Sequence, residues 1–322
     1  MTTFHPSPFA GESDLPRLGE LIAACQAVDQ LESPYTLQDM REELVEPTVG
    51  WRREVALWQS GSDLLGVACL WVPPASEKPD AFFWFVVHPS ARDGNLLREL
   101  VVWADEQGAA LAGRDATLTT GATEEDRWRM LVVPTFDFAP VRYFLRMSRR
   151  LDDALPVLPP PAGYLIRPLA GPDEVEVWVD LYNAAFADHW EHIHLTPDER
   201  RIEMARPSYR GDLDLVAVAP DGTIAAFCAA AIRELDDGGL EAWINLVGTH
   251  PAHRRRGLAR AVLAAGLTAL RGQGMTEAKL GVDAESPTGA TSLYEALGFT
   301  VSKTITVFRR PILPTAPNEI AF

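Results

Sequence analysis

The chain has 322 residues, a formal net charge of −16 at pH 7, 47% hydrophobic residues and 23% charged ones. At about 150 residues per domain this length predicts two cores. The composition excludes a largely disordered chain, and an acidity shared by both halves excludes a basic nucleic-acid domain. No run of about 18 apolar residues offers a membrane span. The opening residues have neither the basic start nor the apolar stretch of a secretion signal, so a cytoplasmic protein is expected. Cys25, Cys69 and Cys228 stand far apart, which predicts reduced core thiols and no zinc site.

Elements in chain order show one pattern written twice. Thr36, Arg41, Glu43 and Pro47 recur as Thr196, Arg201, Glu203 and Pro207, and His88-Pro89 with Arg92 recurs as His250-Pro251 with Arg254. A near-constant offset argues for duplication. Four prolines between Ala154 and Gly163 favour a stiff extended connector, giving domains at 1–153 and 164–322 joined by 154–163. In the second copy, Tyr164 to Pro168 reads as a strand. A helix follows through Val175, Trp178, Val179 and Tyr182. Leu213 to Ala219 and Ile224 to Ile232 read as strands joined at Pro220-Asp221-Gly222, and Trp243 to Thr249 as another. A long helix apolar almost all round starts near Leu258, so it should lie against a sheet. Lys279 to Asp283 reads as a strand, Pro287 to Leu297 as a helix capped by Ser286 and closed by Gly298, and Thr300 to Phe308 as the final strand. The expected fold is α/β: two tandem domains, each a mixed sheet flanked by helices.

Chemistry concentrates between Val247 and Ala259. The run passes from a strand through a basic turn, Arg254-Arg255-Arg256-Gly257, into the long helix. Glycine lets a ligand approach the backbone, and the unpaired N–H groups of a first helical turn attract anions. The run lacks the Gly-Lys-Ser/Thr of a P-loop and the G-x-G-x-x-G of a dinucleotide site. The second element is the short helix carrying Tyr294, for which plain packing is the alternative to a chemical role.

R-x-x-G-x-A at Arg254, Gly257 and Ala259, followed by Leu293-Tyr294-Glu-Ala-Leu-Gly298-Phe299, resembles the GNAT superfamily of N-acetyltransferases. Together with the duplication, Asn183-Ala-Ala-Phe-Ala-Asp-His189 resembles its tandem-domain bacterial members, including the mycothiol synthase-like group. The resemblance implies acetyl-CoA as cosubstrate and a small-molecule amine as acceptor. It implies that Val247, Gly248 and Thr249 pair with the pantetheine arm, and that Arg254, Arg255, Arg256, Gly257, Leu258 and Ala259 surround the pyrophosphate. Ser286 stands where the family often has asparagine against the cofactor. Tyr294 would stabilise or protonate the leaving thiolate. Where related sequences tend to place a glutamate stands Trp243, so the base is sought at Glu241, acting through water, with Asn245 as a further candidate. Alternation puts Glu241, Trp243, Asn245, Val247 and Thr249 on one face; the alternative is a solvated strand-end carboxylate. The missing glutamate also favours a second reading, a non-catalytic acyl-CoA-binding sensor or scaffold.

Three histidines and two carboxylates lie between Asp188 and His194. Ligands so close in sequence do not readily turn inward together, so no metal is expected. The resemblance implies that this stretch helps form the acceptor pocket, which makes His189, Trp190, Glu191 and His192 candidates for it; plain loop packing is the alternative. In the first copy Asn95 replaces Gly257 and Val133 stands at the position of Tyr294. That copy should keep the fold without the cofactor site and serve a monomer as an internal pseudo-dimer partner.

Overall fold

The computed structural model describes residues 6–32, 35–74, 80–92, 95–190 and 192–313. In chain order its main elements are β1 Pro6–Pro8, α1 Leu15–Asp29, α2 Leu37–Met40, β2 Arg52–Ser60, β3 Asp63–Val72, β4 Asp80–Val87, α3 Asn95–Ala112, β5 Thr117–Thr123, α4 Arg127–Val132 and β6 Ala139–Arg150. These are followed by β7 Leu165–Pro168, α5 Val175–Phe186, α6 Pro197–Ala205, β8 Asp214–Val218, β9 Ile224–Glu234, β10 Leu240–Thr249, α7 Leu258–Gly272, β11 Glu277–Asp283, α8 Ala290–Glu295 and β12 Thr300–Pro311. Two compact units result, Met1–Arg142 with Ile305–Phe322, and Tyr143–Thr304. Their borders fall inside β6 and β12 and not at the prolines of 154–163. Strand pairing sets them, and no local sequence pattern records it: residues 144–150 of β6 pair with β11, and residues 305–311 of β12 pair with β5.

In the first unit β1, β2, β3 and β4 pair antiparallel in sequence order, and β4 runs parallel to β5. One face carries α1 and α2 through Leu18, Leu21 and Met40; the other carries α3 through Leu96, Leu100 and Ala104. In the second unit β7, β8, β9 and β10 are antiparallel neighbours, and β10 runs parallel to β11. Both sheets are therefore mixed and largely antiparallel, as the sequence pattern implies.

Two faces of the second sheet frame the site. Trp178, Val179 and Leu181 of α5 pack with Val216 and Phe227 on one face. Leu258, Val262, Leu263 and Leu267 of α7 pack with Ala242, Ile244 and Leu280 on the other. Helix α6, absent from the sequence reading, begins with a reciprocal cap. The Thr196 hydroxyl accepts the Glu199 N–H at 3.3 Å while the Glu199 carboxylate accepts the Thr196 N–H at 2.7 Å. The fully buried Arg200 ties this helix to the sheet, its guanidinium 3.9 Å over the Trp178 ring and bonded to Asp214.

The duplication extends to local construction. His88 and His250 each accept a backbone N–H two residues on, from Ser90 and Ala252, and each opens a short 3₁₀ turn before the long helix. Arg92 and Arg254 each reach back to a carbonyl five residues earlier, Val87 and Thr249.

Candidate active site

The second unit opens because two parallel strands part company. β10 and β11 pair only through Ala242–Ala278, Trp243–Lys279 and Ile244–Leu280, yet β10 runs on to Thr249 and β11 to Asp283. From Asn245 to Thr249 the β11-facing edge of β10 has no strand partner among the described residues, which leaves backbone groups available to a ligand. Against β9 the register slips between Ile244 and Leu246, so Asn245 is the extra residue of a bulge. A cleft of 730 Å³ fills the parting. Asn245, Val247, Gly248 and Thr249 line it from β10, Gly281 and Asp283 from β11, and Tyr294 from α8. The Thr249 hydroxyl is buried and has no hydrogen-bond partner among the described residues. Gly248 is required on the α5 face, where a Cβ would run into the ring of Phe227.

One end of the cleft is the start of α7. Gly257 is its N-cap at φ +85°, no side chain caps it, and the first backbone bond runs from the Ala261 N–H to the Gly257 carbonyl at 3.1 Å. The amides of Leu258, Ala259 and Arg260 therefore have no helix carbonyl to bond, and all three residues line the cleft. A Cβ on Gly257 would meet no protein atom within 4 Å, so the space above this turn is open. Arg255 lines the cleft from the left-handed region at φ +65°. Arg254 instead secures the loop, donating to Ala185 carbonyl at 3.0 Å with Asp188 at 3.9 Å. Arg256 turns away from the cleft to the Tyr164 hydroxyl at 3.1 Å and the Ala252 carbonyl at 3.4 Å.

Several sequence expectations change. Ser286 lines the cleft but does not cap α8: the chain makes two turns, Ser286 N–H to Asp283 carbonyl and Gly289 N–H to Ser286 carbonyl, and Gly289 at φ +68° starts the helix at Ala290. The bulge at Asn245 reverses the alternation, so Glu241 and Trp243 do not share a face with Val247. Val247 belongs with Ala242 and Ile244 over α7, while Leu246 packs on the α5 side. Glu241 is 7% exposed and does not line the cleft. Its carboxylate accepts from Lys279 at 2.9 Å, Arg233 at 2.7 Å and the Trp243 indole N–H at 3.2 Å. Held by two cations and away from the cleft, the carboxylate clamps three side chains of the sheet, where the sequence reading placed it beside the cofactor positions as a base.

Tyr294 is 8% exposed, in T-shaped contact with Phe299. Burial first, and then the nearby Cys228 sulfur, pushes its phenol well above the ordinary value. It stays protonated and can act as a hydrogen-bond donor. Gly298 closes α8 at φ +85°, and a Cβ there would collide with the Arg149 guanidinium, which bonds the Leu297 carbonyl.

The far wall is aromatic. Tyr182 and Phe186 of α5, Phe144 of β6 and the loop residues His189, His192 and Ile193 line it. Trp190 does not line the cleft but packs 6.1 Å from Phe144, and Glu191 lies outside the described residues. Burial, with the neighbouring His194 and His189, lowers the His192 pKa below its ordinary value. Among the described residues no cluster of three His, Cys, Asp or Glu side chains could hold a metal, and no helix is long and apolar enough to cross a membrane.

The first unit parts its parallel pair in the same way after Asp80–Thr117, Ala81–Leu118 and Phe82–Thr119. There α4 occupies the opening. The Arg129 guanidinium lies 4.1 Å over the Phe85 ring and donates to the Phe85 carbonyl, while Arg92 lies 4.5 Å over Trp128. The cavity beside these residues measures 100 Å³.

A parted parallel pair beside an uncapped helix start, with a buried tyrosine lining the same cleft, is the architecture of an acyltransferase domain of the kind the two motifs resemble. Comparison with known proteins agrees. A profile of the acetyltransferase (GNAT) family matches residues 175–299. A mycothiol acetyltransferase of Thermobispora bispora is 31% identical over 223 residues, covering 66% of this chain and 75% of that protein. One from Kineococcus radiotolerans is 38% identical over 167 residues, covering 51% of this chain and 52% of that protein, so the chain spans about half the length of that relative. A GCN5-related N-acetyltransferase from Sphaerobacter thermophilus shares the fold at 24% identity, TM-score 0.74, with 97% of each chain covered. A tandem GNAT protein from the clavulanic acid biosynthesis pathway does so at 17% identity, TM-score 0.77, covering 98% of this chain and 99% of that one. The chain belongs to the GNAT family of acetyltransferases.

Proposed function

We propose that the second unit transfers an acetyl group directly from acetyl-CoA to a small-molecule amine. The observation that carries this reading is the single cleft that joins the unpaired edge of β10, the open turn at Gly257 and Tyr294. The residues fit the cosubstrate. The amides of residues 258–260 suit a pyrophosphate, the edge of β10 suits an amide-bearing arm, and the orphaned Thr249 hydroxyl gains a partner when such an arm is bound. In the transfer the neutral amine nitrogen bonds to the thioester carbon, the C–S bond breaks, and its electron pair goes to sulfur. The Tyr294 phenol stabilises the departing thiolate by hydrogen bonding. A full proton transfer to a thiolate whose thiol has a pKa of about 8.5 is uphill from a phenol raised further by burial.

With Arg129 on the Phe85 carbonyl, the first unit binds no acyl-CoA, so each chain takes one. The relatives' activity makes a mycothiol-type acceptor, a cysteinyl amino-sugar conjugate, the first to assay. Calorimetric titration with acetyl-CoA should give one site per chain, and Gly257→Glu should abolish it by setting a carboxylate against the pyrophosphate. Two sites, or unchanged affinity in the folded variant, would show the cradle to be misplaced.

A further inference from the structure

With Glu241 clamped, the transfer lacks an assigned proton acceptor. Resting on the acetyltransferase reading above, we propose that His192 is the general base, taking the proton that the acceptor nitrogen loses as it attacks the thioester. Five side chains lining the cleft carry a carboxylate or an imidazole: Asp188, His189, His192, His253 and Asp283. Three of them have a polar partner elsewhere, and the fourth is open to water. Asp188 is exposed beside Arg254 at the pyrophosphate end. The His253 Nδ1 lies 2.8 Å from the Tyr164 hydroxyl. Asp283 is buried and accepts the Glu285 N–H at 3.0 Å in its turn. His189 has its Nδ1 2.9 Å from the Trp190 carbonyl and packs edge-on against Phe186, next to the Ala185 carbonyl that Arg254 holds.

His192 is placed differently. It packs on Tyr182, a turn before Phe186 in α5, with ring centroids 6.2 Å apart. Its own N–H closes a turn on the His189 carbonyl at 3.1 Å, which fixes where the ring can go. The imidazole makes no hydrogen bond among the described residues, so it can meet an acceptor amine, and Asn245 of the bulge lines the same cleft.

The groups on the surrounding elements favour the neutral ring. Its own loop contributes His189 and His194, whose positive forms oppose its protonation, and the exposed Asp188, 3.9 Å from Arg254. Helix α5 contributes Tyr182, kept neutral by burial and by Glu199 and Glu203 of α6. β10 contributes the uncharged Asn245, and Asp283 and the neutral Tyr294 line the cleft from β11 and α8. A neutral imidazole at pH 7 is the form that accepts a proton. The bookkeeping closes: the N–C bond forms, the C–S bond breaks toward sulfur, one amine proton moves to the ring, and the imidazolium returns it to water while the thiolate is protonated from solvent.

The test is the pH profile of kcat/KM for thiol release from acetyl-CoA, with glucosamine, tyramine and a cysteinyl glucosamine as probe acceptors. Free amine accumulates with pH for parent and variant alike, so the ring is read from the ratio of parent to His192→Gln, which should show an ascending limb below pH 6.5. His192→Gln should cost about 10²- to 10⁴-fold in rate above that limb, with acetyl-CoA affinity unchanged by calorimetry. His192→Ala should regain activity on addition of imidazole, and His194→Gln should move the limb to higher pH by removing a positive neighbour. A parent-to-variant ratio that stays constant with pH, or a loss that imidazole does not restore, overturns the assignment while the enzyme reading stands. Failure of the parent to transfer to any of these amines removes the acetyltransferase reading and this inference together.

Discussion

Replacing Glu241 by glutamine separates a clamp from a base. The carboxylate bridges Lys279, itself 9% exposed at the side chain, and the partly exposed Arg233, and also accepts from the Trp243 indole. Glutamine keeps one acceptor oxygen but turns an N–H₂ toward one of the cations and removes the charge both need. Breaking a buried pair from one side costs about 3–5 kcal/mol. Because Arg233 retains access to water, the lower end applies, about 3 kcal/mol. In a unit of this size about 1 kcal/mol lowers the melting temperature by roughly 2–4 °C, so a fall of about 6–12 °C is expected. Below that temperature the ratio of kcat/KM between variant and parent should stay constant from pH 6 to 9.5. The assays are thermal unfolding by circular dichroism and thiol release across that pH range. An unchanged melting temperature, with a rate deficit that narrows as pH rises, would refute the clamp and return the base to Glu241.

Tyr294→Phe should lower kcat about 10²-fold while leaving acetyl-CoA affinity intact, since the ring still packs and only the donor is lost; calorimetry and steady-state rates together check this. Tyr294 and Cys228, the latter pushed up to about 12, stay protonated when folded and ionise near their ordinary values when unfolded. The folded state then binds more protons, so stability holds below about pH 9 and falls above it; melting temperatures from pH 8 to 11.5 should decline less steeply in Tyr294→Phe. Thr196→Ala should cost about 1 kcal/mol by removing the cap of α6, read from denaturant midpoints.

What was legible in the sequence was local. The strands of the second unit, the helix start at Gly257 and the end of α8 at Gly298 follow from glycine, apolar periodicity and the motifs, and all stand where expected within a few residues. The capping signal Thr196-Pro197-x-Glu199 was also present and would have found α6. Three features were not legible because each depends on distant chain. The bulge at Asn245 exists only in register with Ala229 and Ala230 of β9, and strict alternation therefore put Glu241 on the wrong face. Lys279 and Arg233 clamp that carboxylate from two other strands. The unit borders inside β6 and β12 depend on pairing with β11 and β5, which the prolines of 154–163 do not announce.

The central claim is that this cleft transfers an acetyl group from acetyl-CoA to a small-molecule amine. It is tested most directly by incubating the full chain with acetyl-CoA and a cysteinyl amino-sugar acceptor, and following thiol release together with the mass of the product. The account predicts one thiol freed per acceptor gaining an N-acetyl group, at a rate that falls about 10²-fold in Tyr294→Phe. Acetyl-CoA that binds one per chain yet frees no thiol with this or any other amine would contradict it, and would leave a protein that holds the thioester without turning it over.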